Sequence, residues 1–409
     1  MTSTKKILNV AVIVAALGYF VDVYDLILFS IVRVASLKDL GLSGEELTNT
    51  GIYLLNVQMI GMLIGGIIWG IMGDKKGRLS VLFLTILMYS LANILNGMVT
   101  NLPQYYLCRF FAGLGLAGEL GVGITLVSEV MSKETRGYGT TVVSSIGIAG
   151  AVIGFLVADM FNWRVAYYFG GGMGLMLLVL RILMYESGMY AKTKESKVKR
   201  GNFLSLFNNR KRFIKYIKCI LIGVPVWYII GILVTLAPEF ASDNAFNIKG
   251  DVAAGKAVMY HYIGASVGAF LTGIYSQFIK SRKKALFFSL ISLTIFLILF
   301  FVSTGSTNAW FYFLLLIIGI PNGYWSVFVT TASEQFGTNL RATVTTTVPN
   351  FVRGATVVVT TAFNYLKSSS FGIIGSAIAV GVVVLALAIY SALTIEETFH
   401  KDLDYYEVG

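Results

Sequence analysis

Residues 70–79 have the sequence GIMGDKKGRL and lie between two long apolar segments. One acidic residue, three basic residues and a turn-permitting glycine at position 77 therefore join two hydrophobic stretches. Glycine at position 70 allows helices to approach closely, and basic residues in a short connection hold it on the cytoplasmic side of a membrane. The stretch predicts a turn between two transmembrane helices, although an ordinary basic loop that follows charge topology would contain similar residues.

The composition indicates a membrane protein along its whole length. Of 409 residues, 56% are hydrophobic and 13% are charged, and the mean hydropathy is +0.75, outside the range of soluble globular domains. Apolar runs long enough to cross about 30 Å of hydrocarbon recur throughout. They predict an all-α protein with twelve membrane segments, at 7–32, 50–72, 79–98, 103–131, 138–160, 163–186, 213–238, 253–279, 285–304, 309–333, 340–366 and 370–394.

The net charge of +11 is explained by membrane orientation rather than by nucleic-acid binding. With the N-terminus inside, roughly twenty Lys and Arg fall on the cytoplasmic side and about six outside. The densest block, residues 192–215, lies in the longest connection. We expect a monomeric, multi-pass protein of the cell inner membrane with both termini cytoplasmic, whose partners are the lipid bilayer, a small molecule and protons. The predicted organisation is an N-terminal six-helix bundle (1–186), a cytoplasmic linker (187–212), a C-terminal six-helix bundle (213–394) and a cytoplasmic tail (395–409).

Residue types that support enzymatic chemistry are scarce. Cys108 and Cys219 have no disulfide or metal-site spacing, and the two histidines, His261 and His400, belong to no Cys/His cluster. Nucleotide-binding loops and Ser-His-Asp sets are also missing from the sequence. We therefore predict that the protein is not an enzyme and uses no cofactor. Protons are the expected coupling ion.

An internal repeat divides the chain into two related halves. A shift of 205 residues superposes a Ser-Glu pair, an arginine seven residues later and a glycine, and it places Asp22 opposite Trp227. The other matched positions are Glu129 and Glu334, Arg136 and Arg341, Gly118 and Gly323, and Glu119 and Tyr324.

The duplication and the turn at 70–79 resemble the major facilitator superfamily, whose signature loop is G-x-x-x-D-[RK]-x-G-R-[RK]. Leu79 departs from the last position of that loop. The resemblance implies twelve transmembrane helices in two pseudo-symmetric six-helix bundles, with the substrate site between them near the bilayer midplane.

Acid–arginine pairs near helix ends resemble the cytoplasmic charge network of the same family. Ion pairs and helix-end charges there could act as a latch that holds the halves together when the cavity faces outward. The alternative is that they only anchor helix ends at the interface, since surface pairs often contribute little. The predicted gating residues are Asp74, Arg78, Glu129, Arg136, Glu334 and Arg341.

Ionisable residues inside membrane segments are costly and usually functional. Asp25 and Arg109 lie at similar estimated depths, roughly 10 Å below the outer ends of their helices, so a salt bridge between them is expected. Glu119 and Arg353 both fall near the midplane, on opposite halves. The residues predicted to take part in proton coupling are Asp22, Asp25, Glu119 and Arg109, although each could instead be part of a structural salt bridge.

Three segments resemble aromatic-acid:proton symporters and related families. Residues 22–25 (DVYD) resemble D-G-[YF]-D, with Val23 in place of glycine, and residues 109–119 (RFFAGLGLAGE) resemble R-x-x-x-G-x-G-x-x-G-E. Arg341-Ala-Thr matches R-x-T, and Arg353, followed directly by Gly354, resembles the second arginine of the R-x-T…R-x-G pattern of helix 11, which binds the substrate anion in organic-anion transporters. The resemblance implies the same role for Arg353, whose planar guanidinium suits a carboxylate.

Residues beside two prolines complete the predicted pocket. Pro225 and Pro321 are expected to loosen helices next to a cavity. The predicted substrate-binding residues are Arg353, Trp227, Tyr228, Asn322, Tyr324, Trp325 and His261, although aromatics in membrane helices are more often packing or interfacial residues.

Together these patterns predict a secondary active transporter that imports a small organic anion with protons by alternating access. The alternative is a facilitated carrier or exporter of the same fold in which the intramembrane acids are structural. A third hypothesis, a membrane receptor or channel-like protein, is disfavoured by the duplicated halves and the paired intramembrane charges.

Overall fold

The computed structural model describes residues 10–76, 78–119, 136–186, 203–369, 371–399 and 401. These residues form fifteen α-helices, a 3₁₀ turn (Phe203–Leu206) and a π-helical stretch (Ile229–Val234), with one isolated β-bridge between Lys249 and Thr307. The all-α prediction is confirmed. In chain order the helices are α1 (Val10–Asp39), α2 (Gly44–Lys76), α3 (Arg78–Asn96), α4 (Leu102–Leu116), α5 (Arg136–Ile148), α6 (Gly150–Met160), α7 (Trp163–Glu186), α8 (Arg210–Tyr228), α9 (Ala237–Ala241), α10 (Ala254–Phe278), α11 (Arg282–Phe301), α12 (Asn308–Asn322), α13 (Trp325–Glu334), α14 (Thr338–Lys367) and α15 (Gly372–Thr394).

The helices follow the predicted membrane segments, with three segments interrupted. The fifth segment breaks at Ala149, the seventh passes from α8 through the π-helical stretch to α9, and the tenth is divided into α12 and α13. Pro225 and Pro321 lie in the last turns of α8 and α12, where a missing N–H and a steric clash disturb the helix. The second part of the fourth segment, from residue 120, and linker residues 187–202 lie outside the described residues.

Within the described residues, nine helical spans are long and apolar enough to cross a membrane. Helix α14 is not one of them because it carries Asn350, Arg353 and several buried threonines. These polar side chains face other helices rather than lipid, as expected for a helix in the middle of a bundle.

Glycines allow two pairs of helices to pack backbone to backbone. In the first half, a Cβ at Gly61 or Gly65 of α2 would meet the main chain of α4, and one at Gly113 of α4 would meet the carbonyl of Gln58 in α2. In the second half, Gly264 and Gly268 of α10, Gly319 of α12 and Gly323 just after α12 make the same kind of contact. The second and fourth segments of each half are therefore joined at the closest distance that helices allow.

The two halves contact each other along several helices. Helix α14 lies against α2, and α10 lies against α5, α6 and α1. We call the face of the bundle where α1 begins and α15 ends the terminal face, and the face where α1 ends and α2 begins the distal face. The centre of the interface between the halves, midway between these faces, contains the candidate site.

Candidate functional site

Helices α1 and α14 bring two buried charges together at the centre of the molecule. Arg353 Nη2 lies 3.5 Å from Asp22 Oδ2, and the two side chains are 1% and 0% exposed. Asp22 belongs to the first half and Arg353 to the second, so this ion pair joins the halves. Glu119 and Arg353, which the sequence places at similar depth on opposite halves, are not paired with each other in the structure.

A small cavity adjoins the pair. Its volume is about 40 Å³, which is room for roughly three waters at 10–15 Å³ each. The halves are therefore closed around the site in this conformation, and an organic substrate would require them to separate. The first half contributes Tyr19, Val23, Leu26 and Ile148 to the lining, and the second half contributes Val226, Trp227, Ile230, His261, Tyr262, Ala265, Asn322, Trp325 and Arg353.

Two tryptophans flank the guanidinium of Arg353. Its Cζ lies 6.0 Å from the ring centroid of Trp227 and 5.9 Å from that of Trp325, within the range of cation–π attraction. The aromatic rings cover part of the guanidinium and shield its charge from water. This arrangement strengthens any contact that Arg353 makes with an anion, because charges interact more strongly where water is excluded.

The hydrogen-bonding capacity around Arg353 is only partly used. Arg353 Nη1 lies 3.5 Å from Asn350 Oδ1, whereas the buried Nε of Arg353 and Nε1 of Trp325 have no acceptor in good hydrogen-bonding geometry, although the Tyr19 hydroxyl lies beside both side chains. Neither carboxylate oxygen of Asp22 accepts one. Buried polar groups are normally paired, so unused N–H donors beside a cavity are suited to a bound carboxylate.

His261 and Asn322 form a polar pair on the second-half wall of the cavity. His261 Nδ1 lies 3.3 Å from the carbonyl oxygen of Leu315, and His261 Nε2 lies 3.0 Å from Asn322 Nδ2. The Oδ1 atom of Asn322 is buried and has no hydrogen-bond partner. Both ring nitrogens of His261 are thus engaged, while the amide oxygen of Asn322 is not.

Two of the predicted substrate-binding residues do not line the cavity. The hydroxyl of Tyr324 donates to the carbonyl of Ile222 at 2.7 Å, and the hydroxyl of Tyr228 donates to the carbonyl of Ala377 at 2.7 Å. Both rings are fully buried in helix packing. Neither side chain therefore lines the cavity in this structure, because proximity to a proline in sequence does not fix the direction in which a side chain points.

Glu119 is paired inside the first half rather than across the interface. Arg181 of α7 binds both of its carboxylate oxygens, with Arg181 Nη1 3.0 Å from Glu119 Oε2. The pair occupies the space left by the missing side chain of Gly18, one helical turn before Asp22. Arg181 lies within a predicted membrane segment, so the rule that singled out Glu119 would also have found its partner.

The expected salt bridge between Asp25 and Arg109 is not formed in the structure. Arg109 donates from Nη2 to Gln58 Oε1, and its guanidinium lies over the rings of Phe29 and Tyr167. Both carboxylate oxygens of Asp25 are buried without a hydrogen-bond partner. A similar depth along two helices therefore does not by itself place two side chains in contact.

The predicted gating residues near the terminal face lie partly outside the described residues. Glu129 is one of these, and the side chains of Asp74, Arg78 and Arg136 also lie outside the description.

The two gating residues of the second half have described contacts. Glu334 forms an ion pair with Arg282 of α11 at 3.3 Å, and Arg341 lies 3.5 Å from the carbonyl of Phe336. Thr398, just after α15, donates to Glu334 at 2.9 Å. These two contacts of Glu334 tie elements of its own half together.

The distal face carries a charge cluster between the halves that the sequence analysis did not identify. Arg33 of α1 binds both oxygens of Glu239 of α9, at 2.7 and 2.9 Å, and donates to the carbonyl of Thr235 at 3.1 Å. Thr48 of α2 donates to Glu239 at 3.0 Å. We call Arg33, Thr48, Thr235 and Glu239 the distal cluster. It was missed because the first segment was predicted to end before Arg33, whereas α1 continues to Asp39.

Hydrogen bonds between the halves occur at several other positions. From α14, Thr360 donates to Asn56 of α2 at 2.7 Å, and Asn350 donates to the carbonyl of Ala117, just after α4, at 2.8 Å. On α5 and α13, Thr330 lies 3.3 Å from Thr140. The cavity is enclosed by contacts that cross the interface.

These features define a class of protein: a multi-pass membrane transporter with a closed central site between two helical halves. The sequence pattern of the Major Facilitator Superfamily matches residues 15–358, and the chain belongs to that family. It is accordingly a transporter and not an enzyme.

The chain also resembles individual transporters. It is 25% identical over 422 residues to the cis,cis-muconate transport protein of Acinetobacter baylyi, covering 97% of this chain and 95% of that one. The niacin transporter NiaP of the same organism is 32% identical over 162 residues, which is 39% of this chain and only 36% of NiaP. The proton:xylose symporter XylE has the same fold, with a TM-score of 0.71, 16% identity and coverage of 98% of both chains. The prediction of twelve transmembrane helices in two pseudo-symmetric bundles is thereby confirmed.

Proposed function

We propose that this transporter imports a small organic anion, a carboxylate, together with protons by alternating access. The observation that carries the proposal is the ion pair between Asp22 and Arg353, which joins the two halves next to the cavity. Two relatives named above transport cis,cis-muconate and niacin, and they support a carboxylate as the substrate.

The substrate carboxylate and the Asp22 carboxylate compete for one cation. At 3.5 Å and an effective dielectric constant of 20, the attraction between Asp22 and Arg353 is roughly 5 kcal/mol. Much of this attraction is offset by the cost of taking both charges out of water. Protonation of Asp22 removes the attraction and leaves Arg353 without its counter-ion, so an incoming anion can take its place.

This competition couples the proton to the substrate. An ionised Asp22 and a bound carboxylate are both negative, and one guanidinium cannot neutralise both at full strength. The anion is therefore bound most tightly when Asp22 carries a proton, and release of either ligand favours release of the other. Because the pair spans the interface, occupancy of Arg353 also biases how the halves are held together.

The proposal is tested by uptake into proteoliposomes with an imposed pH gradient, screened over monocarboxylates, dicarboxylates and aromatic acids. The wild type should concentrate one class of acid when the side from which it is taken up is acidic. Asp22→Asn should bind that acid with an affinity that no longer depends on pH. It should also retain exchange of preloaded substrate and lose accumulation.

Asp25→Asn is the matched control, because Asp25 is equally buried on the same helix and makes no ion pair with Arg353. The Asp25→Asn variant should still couple uptake of the acid to the pH gradient. Accumulation by Asp22→Asn at the wild-type level would overturn the assignment of Asp22. If the wild-type protein exchanges preloaded substrate but does not accumulate it under any pH gradient, the result would instead favour a facilitated carrier or exporter of the same fold.

A further inference from the structure

The His261–Asn322 pair has a fixed hydrogen-bond direction. A carbonyl oxygen only accepts hydrogen bonds, so the contact of His261 Nδ1 with Leu315 at 3.3 Å requires a hydrogen on Nδ1. In a neutral imidazole the other nitrogen is then an acceptor. His261 Nε2 must therefore accept from its neighbour at 3.0 Å, which is the side chain of Asn322.

This requirement fixes the amide of Asn322. Its NH₂ group has to face His261 Nε2, because the amide oxygen there would place two acceptors against each other. The oxygen Oδ1 is consequently held on the other side of the amide, and it is buried without a hydrogen-bond partner. Asn322 is 2% exposed and lines the cavity.

The cavity thus combines two different recognition groups. Arg353 and Trp325 offer N–H donors that suit a carboxylate, whereas Asn322 offers only an acceptor. Most of the remaining lining is apolar or aromatic, including Val23, Leu26 and Ile230. A ligand that satisfies this wall has an anionic end, an apolar body and a hydrogen-bond donor.

We infer that Asn322 makes the transporter selective for carboxylates that carry a hydroxyl or N–H group away from the carboxylate. His261 is the positioning residue that keeps the acceptor oxygen of Asn322 available. This inference rests on the proposed function, since it names the kind of organic anion bound at the same site. An acid without the donor leaves a buried acceptor unpaired, which should reduce its affinity at least tenfold.

The test is binding to the purified full-length protein, measured as ligand-induced thermal stabilisation over a range of ligand concentrations. The probes are matched acids: 2-, 3- and 4-hydroxybenzoate against benzoate and 4-methoxybenzoate, and 4-hydroxybutyrate against butyrate. At least one hydroxy acid should bind ten or more times as tightly as its analogue without the hydroxyl. The methoxy acid should behave like the unsubstituted acid, because its oxygen can only accept.

Variants of Asn322 and His261 test whether this pair causes the preference for hydroxy acids. Asn322→Leu should abolish the preference for a hydroxy acid over its matched plain acid. His261→Phe should reduce it, and His261→Gln, whose amide oxygen can accept from Asn322, should restore it.

The outcomes separate this inference from the proposed function. Equal binding of every hydroxy acid and its analogue by the wild type overturns the inference alone, and this comparison needs no variant to fold. A preference that persists in folded Asn322→Leu also overturns it. If no acid binds to the wild type, the anionic-substrate proposal fails and this inference fails with it.

Discussion

Opening of the distal face requires the distal cluster to separate, so its strength sets part of the equilibrium between conformations. Arg33 is fully buried and Glu239 is 18% exposed, and two charge-assisted hydrogen bonds join them across the halves. Glu239→Gln keeps one acceptor for Arg33 but removes the charge, which should cost about 2 kcal/mol in the closed state only. At 1.36 kcal/mol per factor of ten, the closed population relative to the open one falls about 30-fold.

The shift can be measured as a distance between spin labels on the distal face. Glu45 and Asn244 are exposed there on opposite halves, and cysteines at these positions can be labelled after replacement of Cys108 and Cys219. Glu239→Gln should move the distance distribution toward longer separations.

The ion pair between Asp39 and Arg164 provides a matched control for this measurement. It lies at the same face, at 3.0 Å, but its side chains are 51% and 32% exposed and both belong to the first half. Asp39→Asn removes the same charge without touching a contact between the halves, so the distances should stay as in the wild type. An unchanged distribution in folded Glu239→Gln, or an equal shift in Asp39→Asn, would refute the assignment of the distal cluster as a gate.

Three further predictions concern other contacts. Glu119→Gln removes the negative charge that pairs with buried Arg181 and should lower stability by about 3–5 kcal/mol, measured by denaturant unfolding in detergent; a loss below 1 kcal/mol would contradict it. Tyr324→Phe should lower stability by about 1 kcal/mol without changing the KM for substrate, whereas a changed KM would return Tyr324 to the site. Burial alone would raise the pKa of Glu397, but hydrogen bonds from the Ser281 hydroxyl and nearby backbone N–H groups outweigh it and lower that pKa. Its contribution to stability is therefore complete above the unfolded pKa of about 4.3 and is lost as pH falls through the lower folded value. Protection of the amides at 282 and 283 from hydrogen exchange, relative to their intrinsic exchange rates, should fall only in that range, and Glu397→Gln should remove the pH dependence.

The sequence predicted the helices well because hydrophobic length is a property of each segment alone. Segment 6 was predicted at 163–186, and α7 spans Trp163–Glu186. The largest error at an end was the first segment, which continues seven residues beyond its predicted end at 32. A charged residue directly after an apolar segment usually marks the membrane surface, but Arg33 is buried because Glu239 of the other half neutralises it.

The pairing of charges was harder to predict than their presence. Depth along a helix follows from 1.5 Å per residue, but the direction of a side chain around the axis depends on how the helix is rotated against its neighbours. Asp22 and Asp25 are three residues apart, which separates their directions by about 60°. That difference is enough to aim Asp22 at Arg353 and to place Asp25 against Gly170 of α7.

The glycine contacts between α2 and α4 and between α10 and α12 have a mechanical consequence. Helices whose main chains touch cannot slide or turn past each other without steric overlap, so each pair behaves as one rigid unit. Between the halves, by contrast, contacts such as Thr360–Asn56 and Thr330–Thr140 are made by side chains, which can change rotamer and exchange partners. We therefore expect the movements that open the site to occur between the halves, where side-chain contacts can be exchanged, rather than within either glycine-packed pair of helices.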